Sequence, residues 1–289
     1  MTVCIAALCE EDKILGAADR MQTAGDMQFE PPKSKIMPVT TSIVLMMSSD
    51  SNLDSEIRQY VLFDINARIE RDPGNWWLVR DVAELYQKYY NLAKTRRIQN
   101  ALLAPFGLDA TSFISRQKDM SKEFLESFMA AISSFSIPSV HVIVAGNDTT
   151  GAHVYTVIDG EVSCWDTAGF VSIGAGFRHV QSQFMYSRHT PKSLLADTLW
   201  LTYHAKRRSE VAPGVGAETD MFLIGPKLGS YTSIGDEVVE RLRKFYEDTT
   251  EKENQVKIEA INAARGYMQE IQDGAKVSDK QSGVDEAHS

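Results

Sequence analysis

Residues 2–35 read TVCIAALCEEDKILGAADRMQTAGDMQFEPPKSK, and this stretch decides the fold. A Thr stands directly behind Met1. Val3 to Cys9 form an apolar run with strand character, Glu10 to Lys13 a polar turn, and Ile14 to Ala18 a second apolar run closed by Asp19. Two such runs around a short polar segment predict a hairpin. Lys35 follows Asp19 by sixteen residues and precedes the apolar pair Ile36-Met37.

Thr2, Asp19 and Lys35 are chemically coherent as a set. A Thr hydroxyl is a weak nucleophile unless a base lies within hydrogen-bond reach. Removal of Met1, which a small second residue favours, would give Thr2 both its hydroxyl and a free α-amine. Such an amine has an unperturbed pKa near ~8, so a modest depression makes it a usable base at neutral pH. A nearby Lys⁺ supplies that depression, because like charge disfavours the protonated amine. A carboxylate beside the Lys holds its ammonium in place. Taken singly, each residue has a plainer meaning: a common second residue, a turn Asp, a solvated Lys before a strand.

Their spacing resembles the N-terminus of proteasome-type β-subunits, members of the N-terminal-nucleophile hydrolases. In that family a mature N-terminal Thr opens a strand, and an Ala-Ala-Asp-like segment ends the next one. Ala17-Ala18-Asp19-Arg20 and Lys35-Ile36 fit the pattern, with one extra residue absorbed by the turn at 10–13. HVIVAGNDTTGAHVYTVIDGEV (141–162) resembles the family's central hairpin, and SIGAGFRHVQSQF (172–184) its glycine-rich turn into a helix. The resemblance covers residues 2–52 and 140–226.

The resemblance implies an α+β, four-layer αββα sandwich over residues 1–230. It implies a threonine peptidase in which Thr2 attacks, Lys35 tunes the amine, Asp19 orients Lys35 and the Ser49 N–H stabilises the oxyanion. A backbone donor tolerates Ser where the family has Gly. The family's pocket for the residue before the scissile bond maps to Gln22, Lys33, Met37, Met47 and Ser51. Met47 is its floor, which favours cleavage after Leu, Met or Tyr. The implied substrate is a peptide or unfolded protein, and the implied assembly a homo-oligomeric ring or stacked ring. No cofactor or metal is implied, and whether an ATPase unfoldase works with the chain is open. Two departures concern Ala175, where the family often has Ser, and the loop SEVAPGVGAETD (209–220), where Glu210 stands nearest the family's Asp and no Ser is placed like the family's. They leave two alternatives open: a non-catalytic structural subunit, and an amidase of the same class acting on small amides.

Composition sets further bounds. The chain has 289 residues, is 43% hydrophobic and carries a net charge of −9. That length can bury one large core or one domain with appendages. The acidic balance argues against nucleic acid, which needs clustered Lys and Arg. Cys4, Cys9 and Cys164 have no metal spacing and suit a reducing cytoplasm as buried thiols. No apolar run nears the ~18 residues of a membrane span, and no signal peptide opens the chain.

Along the rest of the chain, Val39 to Met47 is predicted as a strand. Leu53, Ile57, Val61, Ile65 and Ile69 mark a helix that stops at Asp72-Pro73-Gly74. A second helix carries Val79, Val82, Leu85, Tyr89 and Leu92, with Trp76, Trp77, Tyr86 and Tyr90 as core or subunit contacts. Residues 94–138 depart from the family and read as a helical insertion, with a helix at 121–135 presenting Phe124, Phe128, Ala131 and Phe135. Strands at Val140–Ala145 and His153–Ile158 flank a turn at 146–151. His141 and His153 read as strand positions rather than metal ligands. Thr190-Pro191 reads as a helix start, with the helix running to about Arg208, and Thr219 to Gly225 as a last core strand. A C-terminal helical extension is expected over 231–273 and a disordered tail over 274–289.

Overall fold

The computed structural model describes residues 2–24, 27–32, 34–48 and 51–285. The chain divides into two units, one up to Gly235 and one from Asp236 onward. The first is α+β. Its strands are β1 (Val3–Cys9), β2 (Lys13–Asp19), β3 (Gln22–Ala24), β4 (Met27–Phe29), β5 (Ile36–Pro38), β6 (Ile43–Met47), β7 (His141–Asp148), β8 (Gly151–Ile158), β9 (Glu161–Cys164), β10 (Phe170–Gly174), β11 (Thr219–Ile224) and β12 (Thr232–Ile234). Its helices are α1 (Ser51–Arg71), α2 (Val79–Ile98), α3 (Ala110–Arg116), α4 (Lys122–Ser134), α5 (Phe177–Tyr186) and α6 (Leu195–Ser209). The second unit is one helix, α7 (Asp236–Asp285). No helix among the described residues is long and apolar enough to cross a membrane.

Two five-stranded antiparallel sheets form the centre, in the orders β10-β1-β2-β11-β12 and β5-β6-β7-β8-β9. All seven residues of β1 are buried, which is why that strand reads as a continuous apolar run rather than an alternating one. Its odd and even positions serve different cores. Cys4, Ala6 and Leu8 join Val44, Met46, Ile143 and Ala145 of the second sheet. Val3, Ile5 and Ala7 join Val180 and Phe184 of α5 and Leu201 and Ala205 of α6. The other face of the second sheet, through Ile43, Leu45, Val142 and Val144, packs with α1 and α2. Each large side chain removed from water in this way contributes about 1.5–3 kcal/mol.

Several local expectations are corrected. The strand expected over Val39–Met47 begins only at Ile43, because the Thr40 hydroxyl accepts the N–H groups of Ser42 (3.1 Å) and Ile43 (3.0 Å) and holds a turn there. On α1, Leu53, Ile57, Val61 and Ile65 are buried but Ile69 is exposed. On α2 the buried face runs through Val79, Val82, Ala83, Tyr86, Tyr90 and Ala93, whereas Leu92 is exposed. Both sets have helical spacing, so periodicity did not choose between them. Tyr86 enters the core because its hydroxyl donates to Asp54 Oδ1 (2.7 Å); a buried phenol needs such a partner.

The turn expected over 146–151 shrinks to Thr149-Thr150, since β7 extends to Asp148 and β8 starts at Gly151. Asn147 and Asp148 are satisfied inside the strand: the Asn147 amide donates to the Pro226 carbonyl (2.9 Å), and Asp148 accepts the Val79 N–H (2.8 Å). The helix expected from Thr190 begins at Leu195. Its first N–H is taken by the Glu10 carboxylate (2.9 Å), a cap from the distant β1–β2 turn that no local pattern announces. In the 94–138 segment, α4 is capped by Ser121 (3.2 Å to the Phe124 N–H) and buries Phe128 against Phe113 of α3. α3 itself has no counterpart in the sequence reading. The tail expected from 274 begins instead as helix through Asp285, and 286–289 lie outside the described residues.

Candidate active site

Asp19 ends β2, and Thr2 immediately precedes β1, which pairs with β2 in the register Cys4–Ala18. The register therefore brings Thr2 and Asp19 to the same end of the sheet. Lys35 immediately precedes β5, in the other sheet. The three side chains meet: Thr2 Oγ1 donates to Asp19 Oδ1 and accepts from Lys35 Nζ, and Lys35 Nζ also donates to Asp19 Oδ1 (2.9 Å). Thr2, Asp19 and Lys35 are 4%, 0% and 8% exposed, so the contact is shielded from screening solvent.

Asp19 is held by the backbone as well. Its Oδ1 accepts the Val3 N–H (2.9 Å), and its Oδ2 accepts the N–H groups of Met21 (3.0 Å) and Gly216 (2.9 Å). These donors fix the carboxylate plane, and through it the Lys35 ammonium. A buried ion pair adds net stability only when its remaining lone pairs are satisfied in this way.

Gly174 makes room for Thr2. It has φ +95, and a Cβ there would lie 2.2 Å from the Thr2 carbonyl oxygen and 2.6 Å from Ser48 Oγ. Only glycine takes both that conformation and that approach. Ala175, at the position where the family often has Ser, is exposed. Glu210, the expected substitute for the family's Asp, gives its carboxylate to Lys206 (2.7 Å).

The remaining predicted residues are placed as follows. Ser49 and Lys33 lie outside the described residues. Met37 and Met47 pack against the core formed with α1 and α2, and Arg58 donates to Met37 Sδ (3.3 Å). Ser51 is exposed at the first turn of α1, and Gln22 pairs with Phe29 in the β3–β4 ribbon. A separate crevice of about 520 Å³, lined by residues that include Pro38, Trp76, Trp77 and Tyr231, contains none of the predicted substrate-binding residues. Sequence reasoning missed Gly216, whose N–H completes the hold on Asp19.

Cys4 adjoins the set and donates through Sγ to the Met47 carbonyl (3.3 Å). Burial pushes its pKa up to about 12, against the pull of Lys35. Cys9 is pushed up to about 11, chiefly by burial. Cys164, expected to be buried, is exposed instead. Only the thiolate is nucleophilic. Burial raises the Cys164 thiol as well, but it alone of the three is open to reagent, so iodoacetamide at pH 8 is expected to alkylate Cys164 and spare Cys4 and Cys9, read by peptide mass mapping. Alkylation of Cys4 in the folded protein would contradict this.

A Thr–His–Asp arrangement occurs at the β7–β8 turn. Thr150 Oγ1 lies 2.7 Å from His153 Nε2, and His153 Nδ1 lies 2.6 Å from Asp166 Oδ2. However, the Thr150 hydroxyl donates its one proton to Asp148 Oδ1 (2.6 Å). The Thr150 N–H goes to the same carboxylate oxygen (2.7 Å), so Asp148 ties both backbone and hydroxyl of Thr150 into the turn. The group is a turn clamp. Among the described residues, no cluster of His, Cys, Asp or Glu could hold a metal ion.

Neither a scan against protein-family models nor a search of curated proteins returns a match.

Proposed function

We propose that the chain is a threonine-type peptidase subunit of the proteasome-like, N-terminal-nucleophile class. The observation that carries this reading is the contact of Thr2 Oγ1 with both Lys35 Nζ and Asp19 Oδ1. In the proposed mechanism, removal of Met1 frees the Thr2 amine, and Lys35⁺ disfavours its protonated form. Thr2 Oγ1 attacks the scissile carbonyl while the amine takes the hydroxyl proton through a water. The Ser49 N–H is assigned to the oxyanion. The amine then protonates the leaving group, and water hydrolyses the acyl-enzyme. The fold proposed with it is a four-layer αββα sandwich, which the three core clusters support: helices with sheet, sheet with sheet, sheet with helices.

A Thr-reactive covalent probe followed by peptide mapping tests the reading. Labelling on Thr2, with loss of Met1 in the intact mass, is the expected result. Retained Met1 with no labelling would leave a structural subunit without catalysis.

A homo-oligomer, as a ring or stacked ring, belongs to the same proposal. Its support is apolar surface: Phe63, Leu92, Phe106, Ile114 and Met129 are each more than half exposed. Light scattering at micromolar concentration is expected to give several times the chain mass, and a monomer would refute assembly.

A further inference from the structure

The mechanism above leaves a buried cation unused. Lys206, on α6, is fully buried. Lysines are almost never fully buried unless paired, because an ammonium loses its hydration there. Its three donors meet three acceptors: Glu210 Oε1 (2.7 Å), the Gly216 carbonyl (2.9 Å) and the Ala217 carbonyl (2.7 Å). Burial pulls its pKa down, and Glu210 opposes the pull.

The carbonyls that Lys206 grips belong to the segment that grips Asp19. Gly216 gives its N–H to Asp19 Oδ2 (2.9 Å) and its carbonyl to Lys206. One residue is thus fixed from both sides, by the carboxylate and by the ammonium. Its other neighbours close the space, since a Cβ on Gly216 would lie 1.8 Å from Glu30 Oε1 and 2.9 Å from Met21 Cβ. Between α6 and β11, residues 210–218 form no helix or strand, and they include Pro213, Gly214 and Gly216. The segment has turn hydrogen bonds of its own, from the Ala212 N–H to the Ser209 carbonyl (3.0 Å) and from the Val215 N–H to the Ala212 carbonyl (3.2 Å), and it buries Ala212 and Val215, but these holds stop one residue short of Gly216.

We infer that Lys206 is a positioning residue: by holding the Gly216 and Ala217 carbonyls it aims the Gly216 N–H at Asp19, and so sets the carboxylate that orients Lys35 against Thr2. This rests on the reading of Thr2, Asp19 and Lys35 as a catalytic set. Lys206 touches neither the nucleophile nor any atom that reacts. Its influence is geometric, and displacements of about 1 Å in a catalytic group cost up to ~100-fold in rate.

Lys206→Met keeps the length and apolar stem and removes all three donors. In the full-length protein, hydrogen exchange of peptides covering 211–219 is expected to rise about tenfold, with β7 peptides unchanged. In peptide hydrolysis, kcat is expected to fall on the order of 10–100-fold with KM within about twofold. The acid limb of the pH–rate profile is expected to move to higher pH, because a loosened Lys35 depresses the amine less. Lys206→Gln, whose amide has two donors for the two carbonyls, is expected to fall between wild type and Met in both measurements. It decides the matter if the Met variant does not fold. Wild-type loop protection, kcat and pH profile in whichever variant folds would overturn the inference. If the wild-type protein is not labelled at Thr2 while Lys206→Met still frees the loop, the peptidase reading falls and the Lys206–Gly216–Asp19 linkage stands.

Discussion

Thr2→Ala is expected to reduce both hydrolysis and probe labelling to background while the protein still folds and assembles. The substitution deletes Oγ1, the only atom of residue 2 placed between Lys35 Nζ and Asp19 Oδ1. What remains is well satisfied. Lys35 keeps Asp19 at 2.9 Å, and Asp19 keeps the N–H groups of Val3, Met21 and Gly216. Hydrogen bonds to charged groups contribute about 1.5–3 kcal/mol each, and with Lys35 and Asp19 still paired the loss is too little to unfold a large domain. Residual rate, if any, would come from substrate binding and oxyanion donors alone. A Thr2→Ala protein with wild-type turnover would end the threonine mechanism, whatever the fold.

Thr2 and Asp19 were legible because each sits at the end of an element that the pattern announces. The buried run Val3–Cys9, the turn at Glu10 and the run to Asp19 fix a hairpin, and its register puts residues 2 and 19 at one end. Lys35 was legible only through family spacing, since it belongs to the other sheet. The supports of the site were not legible at all. Gly216 reaches Asp19 across 197 positions of sequence, inside a stretch that reads as an ordinary glycine-rich loop. Lys206 opens the run Lys-Arg-Arg at a helix end, where basic residues usually face solvent and the helix dipole. Glu210, four residues on, is shared with Arg207 and does not single Lys206 out; the Gly216 and Ala217 carbonyls do. The same limit explains α2, where two faces have helical spacing and Asp54 selects the one with Tyr86.

Lys35→Ala and Asp19→Asn are expected to lower kcat/KM on the order of 100-fold or more and to move the acid limb in the same direction. The sign follows from charge. The Thr2 amine acts only when unprotonated, and Lys35⁺ beside it disfavours protonation. Without that charge the amine stays protonated to higher pH, so activity should rise later on the pH axis. Asp19→Asn works through orientation and carries a stability cost that Lys35→Ala does not share in kind. Asp19 accepts on both oxygens: Thr2, Val3 and Lys35 at Oδ1, Met21 and Gly216 at Oδ2. An amide has one carbonyl oxygen, so either orientation turns its NH₂ toward donors. That mismatch costs about 1–3 kcal/mol. Lys35→Ala instead leaves Asp19 without its buried cation, a loss of about 3–5 kcal/mol where no other donors compensate; here the three backbone N–H groups remain. Urea unfolding is therefore expected to destabilise both variants, while the pH–rate profile reads the chemistry separately from the fold. An acid limb unshifted in both variants, with both folded, would show that Lys35 and Asp19 do not tune the base.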